Sequence, residues 1–232
     1  MATEPVPLDR RQRRRLETIE EVLDVAIEVM AEQGVAGLSV GEVARRMGIR
    51  PPSLYVYFPS KHALYDALFE RGARLLVTQV RTKTADLASR DASMEEILLD
   101  AARVFVRWTI EHPAYSQLLF WRPVPGFEPS PSAYAPATEL VTLSSERFAA
   151  MRDRGLLRTD VSLDVVQRDW TVLIAGVVSQ QLANAPDEDF ERGRFVAALP
   201  AMVAMFARYY GAGPTSVPRR RATRERSRRS DR

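Results

Sequence analysis

Cysteine is absent from this chain, which excludes disulfides, thiolate metal sites and a thiol nucleophile. Histidine is scarce: His62 and His112 are the only two, and they fit no metal-ligand spacing. No glycine-rich phosphate loop and no nucleophile motif occurs either. The expectation is a protein that is not an enzyme, with no catalytic residues, no metal and no cofactor. No apolar run approaches the roughly 20 residues of a membrane span. The opening MATEPVPLDR lacks the apolar stretch of a signal peptide. A cytoplasmic location with no membrane partner is therefore expected.

What is present suits a helical protein with a substantial core. The 232 residues are 46% hydrophobic and 27% charged, enough for one large core or two small ones. The net charge of +3 hides a division. Residues 1–15 carry Arg10, Arg11, Arg13, Arg14 and Arg15 against two acids, and residues 214–232 carry eight arginines against two. These ends, at +3 and +6, leave −6 on residues 16–213. Poor in apolar residues, they are expected to be disordered tails. Arg11, Arg13, Arg14 and Arg15 are candidates to reach DNA beside the first helix, the alternative being a solvated tail. The C-terminal run either adds salt-sensitive affinity for nucleic acid or serves solubility.

Between Leu38 and Lys61, LSVGEVARRMGIRPPSLYVYFPSK packs the signals of two short helices into one compact segment. Ser39 and Glu42 have capping-box spacing, and Leu38 and Val43 that of a hydrophobic staple. Val40, Val43, Ala44 and Met47 form one apolar stripe, with Arg45 and Arg46 outside it. Gly48 can end that helix in a left-handed conformation, and Ile49 can plug the corner. Pro51 and Pro52 must lie in the next helix's first turn, because proline is penalised in an interior. Leu54 and Phe58 then face inward, and Pro59-Ser60 stops this helix and caps the next. The segment is too short to be a core helix on its own and displays hydroxyls and a cation. It fits a DNA major groove, as a helix-turn-helix does.

These residues resemble a known family. The run Ser39-Val40-x-x-Val43-Ala44-x-x-Met47-Gly48-Ile49, followed by Ser53-Leu54-Tyr55-x-Tyr57-Phe58-Pro59-Ser60-Lys61-x-x-Leu64, is similar to the DNA-binding domain of TetR/AcrR transcriptional regulators. The resemblance covers roughly residues 16–66. It implies a dimeric, usually repressing, ligand-responsive DNA binder, and a phosphate contact at Lys61. A cation at a helix start opposes the dipole, which fits such a contact. Two residues depart from the family pattern. Arg50 stands where a capping Ser or Thr is common, so either water caps this end or DNA takes the arginine, with a guanine edge as its natural partner. Pro51 removes a hydrogen-bonding side chain from the reading edge, which shifts weight to DNA shape. The candidate DNA-contacting residues are Ser39, Arg50, Pro52, Ser53, Tyr55, Val56, Tyr57 and Lys61.

The rest of the chain gives an all-α expectation: an N-terminal three-helix DNA-binding domain over residues 16–62, then a larger helical ligand-binding and dimerisation domain over 63–213. A first helix is expected from Glu17 to Gln33. A long one from Ser60 carries Leu64, Ala67, Leu68, Leu75 and Leu76 inward. Ser93 and Glu96 form a second capping box. Residues 121–136, with five prolines, form an irregular stretch that is either a pocket rim or a rigid connector. Further helices are expected over 137–154, after Ser162, and from Glu188 to Tyr210 with a kink at Pro200. Ala175, Gly176, Val177, Ala197, Ala198, Ala201, Ala204 and Met205 on the last two either form a homodimer interface or complete a monomer core. Trp108, His112, Tyr115 and Trp170 are the candidate pocket residues for an apolar or aromatic small molecule. The expected function is a dimeric repressor released from a palindromic double-stranded operator by that ligand. The alternatives are an activator, or a DNA-associated architectural protein without an inducer.

Overall fold

In the computed structural model, residues 9–87 and 89–212 are described. The expected Arg-rich tail at 214–232 and the first eight residues of the expected N-terminal arm lie outside them. Among the described residues there are nine α-helices, two short 3-10 turns, and no strand beyond a single backbone bridge between Leu157 and Gly211.

Helix α1 (Arg10–Gln33) begins well before Glu17. Asp9 accepts from the Gln12 N–H at 2.7 Å while the Gln12 side chain accepts from the Asp9 N–H at 2.9 Å, a reciprocal cap. Arginine is also a good helix former. Arg11, Arg13, Arg14 and Arg15, expected in a disordered arm, therefore stand on exposed turns of α1. After a 3-10 turn at Val35–Gly37 come α2 (Val40–Arg46) and α3 (Pro51–Tyr55). The corner between them is a Schellman motif. Ile49 N–H donates to Ala44 and Gly48 N–H to Arg45, with Gly48 at φ 67°, a conformation that disfavours side chains.

Helix α4 (Lys61–Thr84) is capped by the Ser60 hydroxyl, which accepts from Ala63 N–H at 3.0 Å. At 1.5 Å per residue it is about 36 Å long. Its Leu64, Tyr65, Leu68 and Phe69 pack with Val22, Leu23, Met30, Val43, Leu54 and Phe58 into a first core. Leu75, expected inward, is exposed, whereas Tyr65, Ala73, Val77 and Val80 are buried. The inward stripe is displaced because α4 is flanked on several sides, by α1, α5, α6 and α7.

Helix α5 (Met94–Glu111) opens with the Ser93–Glu96 capping box as expected. Helix α6 (Pro113–Phe120) follows. It places Tyr115 against Gly72 so closely that a Cβ on Gly72 would lie 2.5 Å from the ring. The connection 121–130 buries Val124 and Phe127 in the first core, and Ser130 donates from N–H (2.7 Å) and hydroxyl (2.6 Å) to Asp66. Helix α7 (Pro131–Asp153) starts there, so Pro131 lies in its first turn and Pro136 inside it. Helices α8 (Leu163–Asn184) and α9 (Leu199–Tyr210) complete the body. Pro200 does not kink a long helix but begins a short one, where its missing N–H costs nothing. The 3-10 turn before α9 is held by buried Gln181, which accepts from the N–H groups of Phe195 and Val196.

A second core joins α5, α7, α8 and α9 around Ile97, Phe148, Trp170 and Phe206. Residues of α4, α6 and the 121–130 connection pack with those of α1, α2 and α3 in the first core, which forms the head.

The Tyr65 hydroxyl donates to the Val35 carbonyl at 2.6 Å, buried, and burial pushes its pKa up to about 12. Tyr65→Phe keeps the ring and leaves that carbonyl only the longer bond from the Leu38 N–H, at 3.4 Å. The expected loss is about 0.5–1.5 kcal/mol of unfolding free energy in a denaturant melt.

Candidate functional site

The short helix α3 projects one apolar side chain inward and the rest outward. Leu54 is fully buried and Phe58, just past the helix, nearly so. Arg50, Pro51, Pro52, Ser53, Tyr55 and Val56 are exposed, and Val56 retains 67% of its accessible surface. A valine that exposed contributes little packing to the fold. Arg50 occupies the N-cap position without a capping side chain, and no ion pair holds its guanidinium among the described residues. Tyr57, expected outward, is half-buried. The guanidinium of Arg15 stands 5.2 Å above its ring, bringing the basic start of α1 to the same surface.

Ser39 is exposed at the N-cap of α2, but its hydroxyl makes no capping bond. The expected capping box fails because the Glu42 carboxylate is taken. Arg45 donates to it twice at 2.8 Å and Arg46 once at 2.9 Å, and Arg46 also grips Glu32 of α1. These guanidinium bonds hold the Glu42 carboxyl down at about 2. Arg45 and Arg46 are thereby committed within the fold. Lys61 donates to the Ala36 carbonyl at 3.2 Å and lies 5.5 Å from the Tyr65 ring centre. An ammonium has three N–H groups, so two remain. No acid lies in the first turn of α1, where arginines at i and i+4 repel each other and oppose the helix dipole. Phosphate groups placed there relieve both effects.

Away from the head, a cavity of about 620 Å³ lies where the two cores meet. Ala73 and Val80 of α4 form one wall, and Trp170, Ile174 and Val178 of α8 another. Phe105, Phe120, Trp121 and Tyr134 supply aromatic surface. Of the four expected pocket residues, only Trp170 lines it. Trp108 and His112 stack at 4.6 Å, with His112 Nδ1 2.9 Å from the Trp108 carbonyl oxygen, and line an open cleft beside α1 and α4. Tyr115 lines neither, being buried against Gly72. The end of α5 turns toward the head, which takes its last aromatics away from the body cavity. Ser144, Arg147 and Gln167 are among the lining residues that sequence reasoning missed. Their polar types at inward helical positions were the available signal.

Comparison with known proteins agrees with this architecture. The profile described as bacterial regulatory proteins, tetR family, matches residues 22–68, from α1 through the start of α4. An uncharacterised helix-turn-helix-type transcriptional regulator of Bacillus subtilis, YobS, is 30% identical over 40% of this chain and 47% of its own length. The class D tetracycline repressor of Escherichia coli is 43% identical over 21% of this chain and 22% of its own. The chain thus spans about half or less of the length of these two relatives. The crystal structure of the regulator FadR from Bacillus subtilis in complex with stearoyl-CoA shares the fold. Its TM-score is 0.66 at 14% identity, over 81% of this chain and 97% of that one. Residues 22–68 match the TetR family's DNA-binding segment. The part matched by the TetR profile contains the α2–α3 pair, Arg50 and Lys61, while the cavity lies outside it.

Within this head, the Glu42 cluster makes a pH-dependent contribution. The folded pKa of about 2 lies below the ordinary 4.5, so the contribution is complete above pH 4.5 and disappears as pH falls toward 2. Thermal melts of wild type and Glu42→Gln should differ most above pH 4.5 and converge near pH 2. A gap that persists unchanged at pH 2 would exclude the ion-pair origin.

Proposed function

We propose that this chain is a dimeric transcriptional repressor of TetR type that binds a palindromic operator through α3 and is released when a small molecule occupies the body cavity. The observation that carries this reading is the course of α4. Lys61 and Tyr65 at one end hold the turn before α2, and Ala73 and Val80 further along form the cavity wall. A ligand that displaces that wall acts on the element that positions the reading head. By their names, the class D relative is a repressor and the FadR neighbour holds stearoyl-CoA, which accords with both halves of the proposal.

The DNA-contacting set is Arg50, Ser53, Tyr55 and Val56 on the reading helix, with Ser39, Pro52, Tyr57 and Lys61 beside it and Arg11, Arg13, Arg14 and Arg15 on α1. Arg50 and Ser53 read bases, Val56 touches a thymine methyl, and the others position the backbone.

Dimerisation is supported by an apolar stripe on the last two helices. Val172, Ala175 and Gly176 on α8 and Ala201 and Met205 on α9 are exposed, as is Ala197 just before it, with Val172 at 66% and Met205 at 57%. Val177, expected in the same stripe, is buried in the second core. Small residues allow close helix approach across a twofold axis.

Two variants test the reading head. Lys61→Ala should weaken binding on all duplexes alike and flatten the salt slope by about one unit, whereas loss of its Ala36 bond alone would leave the slope unchanged. Arg50→Ala should relax preference at one base pair per half-site, costing about 1–3 kcal/mol there. For the interface, Met205→Glu should sediment as a monomer and lose operator affinity. A stable Met205→Glu dimer would place the interface elsewhere.

A further inference from the structure

Arg147 is a partly buried cation whose hydrogen-bond partner among the described residues is a neutral hydroxyl. It lines the cavity from α7, half-buried, and its Nη2 donates at 2.7 Å to the Thr84 hydroxyl at the end of α4. That hydroxyl is itself bonded to the Val80 carbonyl at 2.8 Å. No carboxylate pairs with Arg147 among the described residues, and the cavity lining contains no aspartate or glutamate. Burial holds its guanidinium below the ordinary arginine pKa. Elsewhere in the body, Arg107, Arg158, Arg192 and Arg194 each meet an acid. A half-buried cation held by a neutral hydroxyl loses part of its solvation with little compensation.

Two further polar atoms of the lining lack partners. Ser144 Oγ and Gln167 Oε1 are both buried without a hydrogen bond. Ser144 and Arg147 stand three residues apart on α7, one above the other on the same helix face. Gln167 lies near the start of α8, which follows α7 and packs on it. The remaining lining is dominated by apolar and aromatic side chains, and Phe120, Trp121, Tyr134 and Val141 are exposed members of it.

We propose that the cavity binds an organic carboxylate with an apolar body, its carboxylate held by Arg147 and the Ser144 hydroxyl and a ligand N–H or O–H donated to Gln167 Oε1. One guanidinium balances one negative charge. A phosphate dianion would leave a buried charge uncompensated, which selects the carboxylate. The guanidinium has N–H groups beyond the one given to Thr84, so the bound carboxylate pairs with these and places its charge at the contact between α7 and α4, the helix that carries the reading head. This inference rests on the cavity being the regulator's ligand site.

The test uses the full chain and neutral N-phenyl-1-naphthylamine as a fluorescent reporter of cavity occupancy, with Ala137→Trp, which fills the cavity, as the blank. Displacement is compared for decanoate against 1-decanol and for indole-3-acetate against indole-3-ethanol. In wild type the carboxylates should displace the reporter more tightly than their alcohols. Arg147→Met should weaken the carboxylates by about 10- to 100-fold and leave the alcohols unchanged, while Arg147→Lys retains the preference. Unliganded Arg147→Met should melt no lower than wild type, since a half-buried cation without a carboxylate is removed; a structural role would lower it. Equal displacement by acid and alcohol, unaffected by Arg147→Met, overturns the carboxylate assignment and spares the cavity. No reporter uptake above the Ala137→Trp blank overturns both.

Discussion

The structure depends on how α4 is held at its N-terminal end. The buried bond from the Tyr65 hydroxyl to the Val35 carbonyl, joined by that from Lys61 to Ala36, fixes this helix against the turn leading into α2. The Tyr65 bond is the shorter of the two that the Val35 carbonyl accepts, the other coming from the Leu38 N–H at 3.4 Å, so slippage of α4 costs a well-formed buried hydrogen bond. Leu64 and Leu68, both fully buried, add about 1.5–3 kcal/mol each from burial. The reading helix has too few residues to hold itself. Its position is inherited from Leu54 and Phe58, which pack into the same core as α4.

That dependence joins two regions that are far apart in sequence. The 121–130 connection is anchored to the first turns of α4 by Phe127, which packs at 5.5 Å from Tyr65 and 5.9 Å from His62, and by the bonds from Ser130 to Asp66. The same stretch begins at Trp121 and leads to Tyr134, both of which line the cavity. The proline-rich segment is therefore a connector whose ends belong to the cavity and whose middle belongs to the head. Among packed elements, a displacement in the cavity wall is carried along rigid helices rather than absorbed locally.

The head was legible in the sequence because its signals are local. Gly48, the Pro51-Pro52 pair and Ser60 each fix a helix boundary through their own backbone requirements, and the apolar spacing assigned Leu54 and Phe58 correctly. The Ser93–Glu96 box was legible for the same reason. What failed depended on competition or on tertiary neighbours. The Ser39–Glu42 box was lost to Arg45 and Arg46, whose charge-assisted bonds are stronger than a cap to a neutral N–H. The arginines at the start of α1 suggested disorder by composition, yet the Asp9–Gln12 cap starts a helix there. Pro200 was misplaced because the cost of a proline depends on where its helix begins, whereas α7 starts at Pro131 and runs on through Pro136. The cavity aromatics could not be separated from core aromatics, since only packing decides that Trp170 faces the void while Trp108 stacks on His112.

The central claim is that two copies of this head read DNA together. Selecting bound duplexes from a random library at physiological salt, then sequencing them, tests it most directly. The account predicts enrichment of an inverted repeat whose half-sites are related by the twofold axis of a dimer. Binding that enriches no sequence, or a lone half-site without its inverted partner, would contradict it.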